Sequence, residues 1–181
     1  MTLYFTADTH FFHHNVIEYS KRPFASVTEM NEKLIYNWNS TVTDGDVVYH
    51  LGDVSFGKKE ETTEIIKRLK GEIHLIRGNH DGKRLDTGLF ASCQDYKVLK
   101  IEQEYIVLSH YAMRVWDRSH YGSWMLHGHS HGSLNHEGQG KILDVGVDCF
   151  NFKPVSFTQL CSLFSTIPAV QKDHHRIEEG R

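Results

Sequence analysis

The alternation of apolar and polar residues divides the chain into strand–helix pairs in its first half and mainly strands in its second. Short apolar runs bounded by turn residues predict strands over residues 3–7, 46–51, 72–77, 96–101, 105–109, 124–127 and 141–147. Apolar residues at helical spacing predict helices over residues 28–38, 59–69 and 156–164. Thr28 is placed to cap the first of these helices. The pattern predicts one mixed α/β domain.

Length, charge and cysteine content narrow the class of protein. With 181 residues, the chain suffices for one sizeable core, and we expect one domain over residues 1–168 and a polar tail over 169–181. The net charge of -3, without a basic run, argues against a duplex-binding protein. The sequence has no apolar stretch of membrane-spanning length, no signal-peptide pattern at its start and three widely spaced cysteines. We therefore expect a cytoplasmic protein with reduced thiols.

Five polar clusters follow the carboxyl ends of five predicted strands. The clusters are Asp8-Thr9-His10, Gly52-Asp53, Gly78-Asn79-His80-Asp81, Ser109-His110 and Gly128-His129-Ser130-His131. Taken singly, each cluster is typical of an ordinary turn or cap. Strand ends gathered at one edge of a sheet are where α/β proteins place their ligand sites. The five clusters together therefore predict one shared site.

The residue types in these clusters indicate a metal centre. Structural zinc sites favour closed sets of cysteine and histidine, whereas these clusters offer carboxylates, imidazoles and one carboxamide. That mixture suits manganese, iron, cobalt, nickel or zinc in sites that keep open positions. Asp8 and Asp53 offset two of the four charges of two divalent ions, and a bridging hydroxide leaves about one net positive charge. Such a site attracts an anionic phosphate.

The order of the clusters resembles the calcineurin-like metallophosphoesterase superfamily. Its pattern is D-x-H, G-D, G-N-H-[D/E], a further H and G-H-x-H, and the resemblance covers residues 3–157. The stretches Arg22-Pro23-Phe24 and Gly146-Val147-Asp148 are similar to those of small stand-alone bacterial and phage members. The resemblance implies an α/β (α+β) fold, a four-layer sandwich of two mixed β-sheets flanked by helices.

The resemblance also implies a role for each site residue. One metal would be held by Asp8, His10 and His131, the other by Asn79, His110 and His129, with Asp53 bridging them. His80 would touch the substrate and protonate the leaving oxygen, Asp81 would orient His80, and Asn79 would also touch the substrate. The implied reaction is hydrolysis of a phosphomonoester or a small phosphodiester, such as a nucleotide, by a hydroxide shared between two divalent ions. Manganese is the expected ion, and iron, nickel, zinc or cobalt could take its place.

Several nearby residues are open to two interpretations. Arg22 is either a bidentate ligand for a phosphate oxygen or an ordinary surface arginine. His13 and Asn151 are candidates for contact with the substrate. His50 and His74 alternate with apolar residues and are expected at core or edge positions of strands.

Three further functions compete with a small-molecule phosphoesterase. Gly128-His129-Ser130-His131-Gly132 also fits the G-x-S-x-G nucleophile elbow of serine hydrolases. That enzyme needs an acid and then a histidine after Ser130, and the later histidines are too near or lie in the polar tail. The second competing function is a metal-binding scaffold with little activity, and the third is a nuclease. The sequence keeps every expected ligand and lacks a basic stripe, which disfavours both.

Overall fold

The computed structural model describes residues 1–82, 85–134 and 140–170, which form two β-sheets and four α-helices. The strands are β1 Leu3–Thr6, β2 Val47–His50, β3 Glu72–Ile76, β4 Ser92–Gln94, β5 Tyr96–Ile101, β6 Glu104–Ser109, β7 Trp124–His127, β8 Ile142–Asp144 and β9 Val155–Ser156. The helices are α1 His14–Tyr19, α2 Val27–Asn39, α3 Lys59–Arg68 and α4 Phe157–Phe164. The predicted fold of two mixed sheets with flanking helices is confirmed, whereas residues 171–181 of the predicted tail lie outside the described residues.

The strand order brings the polar loops to one edge of the molecule. The first sheet has the order β4-β3-β2-β1-β9, with β1 to β4 parallel and β9 antiparallel. The second has the order β5-β6-β7-β8, in which β5 and β6 form an antiparallel hairpin and β6 to β8 are parallel. Parallel strands end at the same edge, so the loops after β1, β2, β3, β6 and β7 converge.

Three apolar clusters hold these layers together. The first lies between the outer face of the first sheet and helices α2 and α3, and the second lies between the two sheets and includes α4 residues. In the third, Trp116 and Met113 of the segment after β6 cover the outer face of the second sheet. Each large apolar side chain buried in this way contributes about 1.5–3 kcal/mol. None of the helices in the described part of the chain has the length and apolar run that a bilayer crossing requires.

The boundaries of the elements follow local capping, and some differ from the prediction. Helix α2 begins after Ser26, whose hydroxyl accepts a hydrogen bond from Glu29 N, so the prediction that Thr28 is the cap is wrong. Ser156 caps α4 in the same way. Helix α1 and strands β4 and β9 were not predicted. They have six, three and two residues, which is too short for an apolar period to emerge.

Candidate metal centre

The predicted metal ligands form two adjoining groups at the carboxyl ends of the strands. Asp8, His10 and His131 are called the inner cluster here, and Asp53, His110 and His129 the outer cluster. Within each cluster the potential ligand atoms all lie within 4.8 Å of one another. Asn79 adjoins the outer cluster, because its Oδ1 atom lies 3.0 Å from His110 Nε2.

The carboxylate of Asp53 lies between the two clusters. Its Oδ2 atom is 3.8 Å from His10 Nε2 on one side and 3.5 Å from His110 Nε2 on the other. Its Oδ1 atom accepts a hydrogen bond of 2.9 Å from His80 N, which fixes the orientation of the carboxylate. One oxygen of Asp53 is therefore available to both clusters.

The backbone at five of the candidate ligands is in the left-handed region. The φ angles are 54° at Asp8, 50° at His10, 58° at Asp53, 66° at His129 and 47° at His131. Residues with a Cβ atom seldom adopt this conformation, which costs on the order of 1–3 kcal/mol each. Such strain persists only where the surrounding structure imposes it, and it is concentrated at functional sites. The turns after β1, β2 and β7 therefore give up stability to direct side chains into the site.

Glycines beside the ligands allow the strands' loops to approach closely. A Cβ atom on Gly128 would lie 2.6 Å from Ala7 Cβ and 2.7 Å from Asp8 Oδ2. A Cβ atom on Gly78 would overlap the carboxylate of Asp53. The absence of a side chain at these positions lets neighbouring loops pack against both aspartates.

Buried polar atoms without partners show that a cation fits the inner cluster. Among the described residues, Asp8 Oδ1 and both ring nitrogens of His10 are buried and have no hydrogen-bond partner. An unsatisfied buried polar group is costly, so native proteins almost always provide a partner for it. A divalent ion held by carboxylate oxygen and imidazole nitrogen would supply that partner.

Hydrogen bonds orient two of the histidine rings toward the clusters. His110 Nδ1 lies 2.7 Å from the carbonyl oxygen of Leu51, and His131 Nδ1 lies 2.6 Å from Asp148 Oδ2. A carbonyl and a carboxylate can only accept, so each Nδ1 carries the proton and donates it. In the neutral form of each ring, Nε2 then keeps its lone pair, and this is the form that binds a metal.

Burial and the neighbouring charges shift the protonation of the cluster residues. Burial raises the pKa of Asp8 to about 7 and lowers the pKa of His10 to about 2. Burial also acts to raise the pKa of Asp53, but hydrogen bonds from His110 and His80 N outweigh it and hold that pKa at about 2. Nearby carboxylates outweigh burial in the other direction and raise the pKa of His110 and of His131. Cations that bind here must therefore displace protons.

His80 faces the site, whereas Asp81 does not orient it. The imidazole of His80 is 46% exposed, its Nε2 atom lies 3.9 Å from Asp53 Oδ2, and its ring packs against Phe56. Asp81 instead accepts hydrogen bonds from the backbone N–H groups of Asp53, Val54 and Gly78. The contacts contradict the prediction that Asp81 orients the His80 ring. Asp81 joins the loop after β3 to the loop that carries Asp53.

Arg22 also differs from its predicted role. Its side chain is fully buried, and its N–H groups bind Asp148, two backbone carbonyls and the sulfur of Met30. All five guanidinium donors are occupied, so none is left for a phosphate oxygen. The two interpretations made from the sequence were a phosphate ligand and a surface arginine. Both are wrong, because the side chain of Arg22 is buried.

A cavity of about 670 Å³ opens beside the inner cluster. Its lining includes His10, His13, Tyr19, Lys21, His80 and His131. His13 caps α1 by accepting a hydrogen bond from Val16 N, and its ring lies at the cavity. Asn151 is exposed, with a φ of 52°, and its contact with a substrate stays a prediction.

Two aromatic residues at the site were not predicted. The ring of Phe56 lies 3.9 Å from that of His13 and 4.6 Å from that of His80, measured between centroids. The ring of Tyr111 lies 4.6 Å from that of His129. Both residues are in irregular loops, where no apolar period distinguishes an aromatic residue at a site from one at the surface.

The remaining predicted residues lie behind the ligands. His50 is buried, and its ring nitrogens contact Thr9 Oγ1 and Gly52 N, so it supports both aspartate loops. His74 is at an intermediate position in β3, as expected. Ser130 donates a hydrogen bond of 2.6 Å to Asp144, whereas the nucleophile of a serine hydrolase requires a histidine base.

Comparisons with known proteins agree with this geometry. Residues 1–147 match the calcineurin-like phosphoesterase superfamily domain. The chain is similar to an uncharacterised protein of Methanocaldococcus jannaschii, with 36% identity over 89% of this chain and 90% of that protein. It is similar in structure to a protein of unknown function from Aquifex aeolicus, with a TM-score of 0.73, 25% identity and coverage of 90% of this chain and 98% of that one. A novel archaeal phosphodiesterase shares the fold, with a TM-score of 0.51, 18% identity and coverage of 81% and 84%. The chain therefore belongs to the calcineurin-like phosphoesterase superfamily.

Proposed function

We propose that this protein hydrolyses a phosphomonoester or a small phosphodiester at a centre of two divalent metal ions. The position of Asp53 Oδ2, within 3.8 Å of His10 Nε2 and 3.5 Å of His110 Nε2, is the observation that carries the proposal. Asp8, His10 and His131 would hold one ion, Asn79, His110 and His129 would hold the other, and Asp53 would be shared. When bound, two such ions supply Lewis-acid chemistry and clamp both the attacking and the leaving oxygen of an in-line displacement.

His80 is proposed as the general acid of this reaction. The attacking water forms a bond to phosphorus and loses one proton to solvent, the bond from phosphorus to the leaving oxygen breaks, and His80 gives its proton to that oxygen. His80 then takes a proton back from solvent. Its imidazole is half-exposed beside Asp53 and lines the cavity, where a leaving group has room. The contact with Phe56 limits the movement of the ring. General acid catalysis of this kind contributes about 10²–10⁴-fold to a rate.

The size and lining of the two cavities favour a small substrate. One cavity of about 670 Å³ adjoins the inner cluster, and another of about 430 Å³, lined by Asn79, His110 and Tyr111, adjoins the outer cluster. These volumes fall in the range of small-molecule sites. A small phosphate ester or a nucleotide is therefore the proposed substrate, rather than a nucleic-acid polymer. Manganese as the bound ion and the cytoplasm as the location belong to the same proposal.

Metal reconstitution combined with a substrate screen tests the proposal. Metal-free protein is loaded with Mn²⁺, Fe²⁺, Ni²⁺, Zn²⁺ or Co²⁺ and assayed with aryl phosphate monoesters, aryl diesters and cyclic nucleotides. We expect metal-dependent turnover that is lost in Asp53→Asn. The control is Asp86→Asn, which alters an exposed ion pair with Lys59 and should keep its activity. Full activity of Asp53→Asn would contradict the shared ligand. Bound metal without turnover of any ester would favour the scaffold instead.

A further inference from the structure

We propose that Arg22 and Asp148 form a clamp that positions the inner cluster for its metal ion. The proposal rests on the metal centre proposed above and adds two residues that bind neither metal nor substrate. The clamp joins the loop after β1, the segment after α1, the loop after β7 and the segment after β8, and its two members, Arg22 and Asp148, are 126 residues apart along the chain.

Four of the five N–H groups of Arg22 take part in this clamp, and the fifth contacts the sulfur of Met30. The Nε atom of Arg22 donates a hydrogen bond of 2.8 Å to Asp148 Oδ1, and one terminal nitrogen donates another of 2.8 Å to Asp148 Oδ2. The same terminal nitrogen donates to the carbonyl of Asp8 at 2.7 Å, and the other donates to the carbonyl of Thr9 at 3.0 Å. A planar fork with five donors can span these acceptors, whereas a lysine ammonium cannot.

The carbonyl contacts hold the backbone between two ligands. Thr9 separates Asp8 from His10, and both of these ligands have left-handed φ angles of 54° and 50°. Such conformations persist only when tertiary contacts impose them. By binding the carbonyls of Asp8 and Thr9, Arg22 supplies two of those contacts at the point where the turn directs both side chains into the inner cluster.

The carboxylate of Asp148 positions the third ligand. Its Oδ2 atom accepts from His131 Nδ1 at 2.6 Å as well as from Arg22. This bond selects the tautomer of His131 whose Nε2 atom is free to bind a cation. The charge of Arg22 is balanced by Asp148 within a bidentate pair, so the guanidinium does not add an uncompensated positive charge beside the ion.

The outer cluster is supported by different groups. His110 Nδ1 bonds to the carbonyl of Leu51, and Asp53 Oδ1 accepts from His80 N, so backbone groups orient these two ligands. Loss of the clamp should therefore weaken the inner ion while the outer ion remains. Loss of a supporting hydrogen bond of this kind typically weakens metal affinity by about 10–100-fold.

Metal titration of matched variants tests the clamp. Asp148→Asn keeps the shape of the side chain, Arg22→Lys keeps the charge, and Arg22→Met keeps the length. Arg68→Met is the control, because Arg68 forms a bidentate pair with Glu32 on the surface. We expect two bound ions in the wild type and in Arg68→Met. In each of the three clamp variants we expect the inner ion to bind about 10–100-fold more weakly than in the wild type, while the affinity of the outer ion is unchanged.

A second readout separates positioning from a general loss of structure. In metal-free wild type, at a pH where the His131 ring is neutral, its ¹⁵N shifts should report the form protonated at Nδ1. The Ser20 hydroxyl, 3.2 Å from Nδ1, is the other acceptor there, so the test combines Asp148→Leu, which cannot accept, with Ser20→Ala. This double variant should populate the other tautomer while the circular dichroism spectrum is unchanged. Wild-type affinity for both ions in Asp148→Asn and in both Arg22 variants, or an unaltered His131 tautomer in the double variant, would overturn the clamp. Failure of the wild type itself to bind two ions would refute the metal centre and the clamp with it.

Discussion

The inner and outer clusters use similar ligands in different surroundings. In the inner cluster Asp8 and His10 are buried, His131 is half-buried, and a buried arginine–aspartate pair supports all three. In the outer cluster His129 is exposed, and so is the adjoining Asn79. Burial makes an empty inner cluster costly, because its polar atoms have no alternative partner, whereas water can solvate the open side of the outer cluster. We therefore expect a firmly held inner ion and a more exchangeable outer ion.

The largest effect is expected where the two clusters meet. Asp53→Asn removes the charge that both clusters share, so both ions should bind more weakly. The loss of metal affinity should exceed about 100-fold, which is the upper limit for a residue that only supports a ligand. Asp8→Asn should weaken mainly the inner ion. Metal content after gel filtration checks both variants. Loss of a single ion in Asp53→Asn would show that the clusters do not share this residue.

A large effect without loss of metal is expected at His80. His80→Gln keeps a polar side chain but cannot donate a proton as an acid, so turnover should fall by about 10²–10⁴-fold for esters with poor leaving groups. Aryl esters, whose leaving groups need less protonation, should be affected less. Both ions should remain bound, because His80 belongs to neither cluster. Equal losses for good and poor leaving groups would argue against an acid role.

The candidate metal ligands could be predicted from the sequence more fully than the residues that support them. The residues of both clusters could be found because each follows a strand, and strand order then determines which loops meet. The predicted roles of Asp81 and Arg22 were wrong because the true ones depend on burial and on backbone partners such as Gly78 N and Thr9 O. Asp148 was noted in the sequence only as part of a stretch similar to small members of the family. Its contacts with Arg22 and His131 span 126 and 17 residues, so no local sequence pattern could predict them.

Graded removal of metal should separate the two clusters. With increasing chelator, the outer ion should leave first, because His129 and Asn79 are open to solvent and Asn79 carries no charge. We expect the affinities for the inner and the outer ion to differ by about 10-fold or more, since 10-fold is the smallest effect typical of a residue that supports a metal ligand. An intermediate with one ion should have lost activity, since displacement needs both ions. Simultaneous loss of both ions would contradict the difference between the clusters.

The smallest expected effect is the dependence of stability on pH. In the metal-free protein the pKa of Asp8 rises from 3.8 to about 7, so its contribution is fully present below its unfolded pKa and is lost as the pH rises through about 7. The raised pKa values of His110 and His131 act in the same direction above their ordinary value of 6.5. The lowered pKa values of His10, His13, His50, His127 and His129 act in the opposite direction until the pH is well above 6.5, so a comparison with a variant is needed to isolate Asp8.

Between about pH 6.5 and about pH 8, the metal-free wild type should therefore lose stability relative to Asp8→Asn, whose side chain at this position does not titrate. Each kcal/mol corresponds to about 2–4 °C for a chain of this size, so we expect the difference between the two unfolding temperatures to change by a few degrees. Thermal unfolding of both proteins at the two pH values measures this change. Added Mn²⁺ should raise the unfolding temperature more at the higher pH, where fewer protons compete for the ligands. A stabilisation by Mn²⁺ that is equal at both pH values would mean that the buried carboxylate of Asp8 is not protonated before the metal binds.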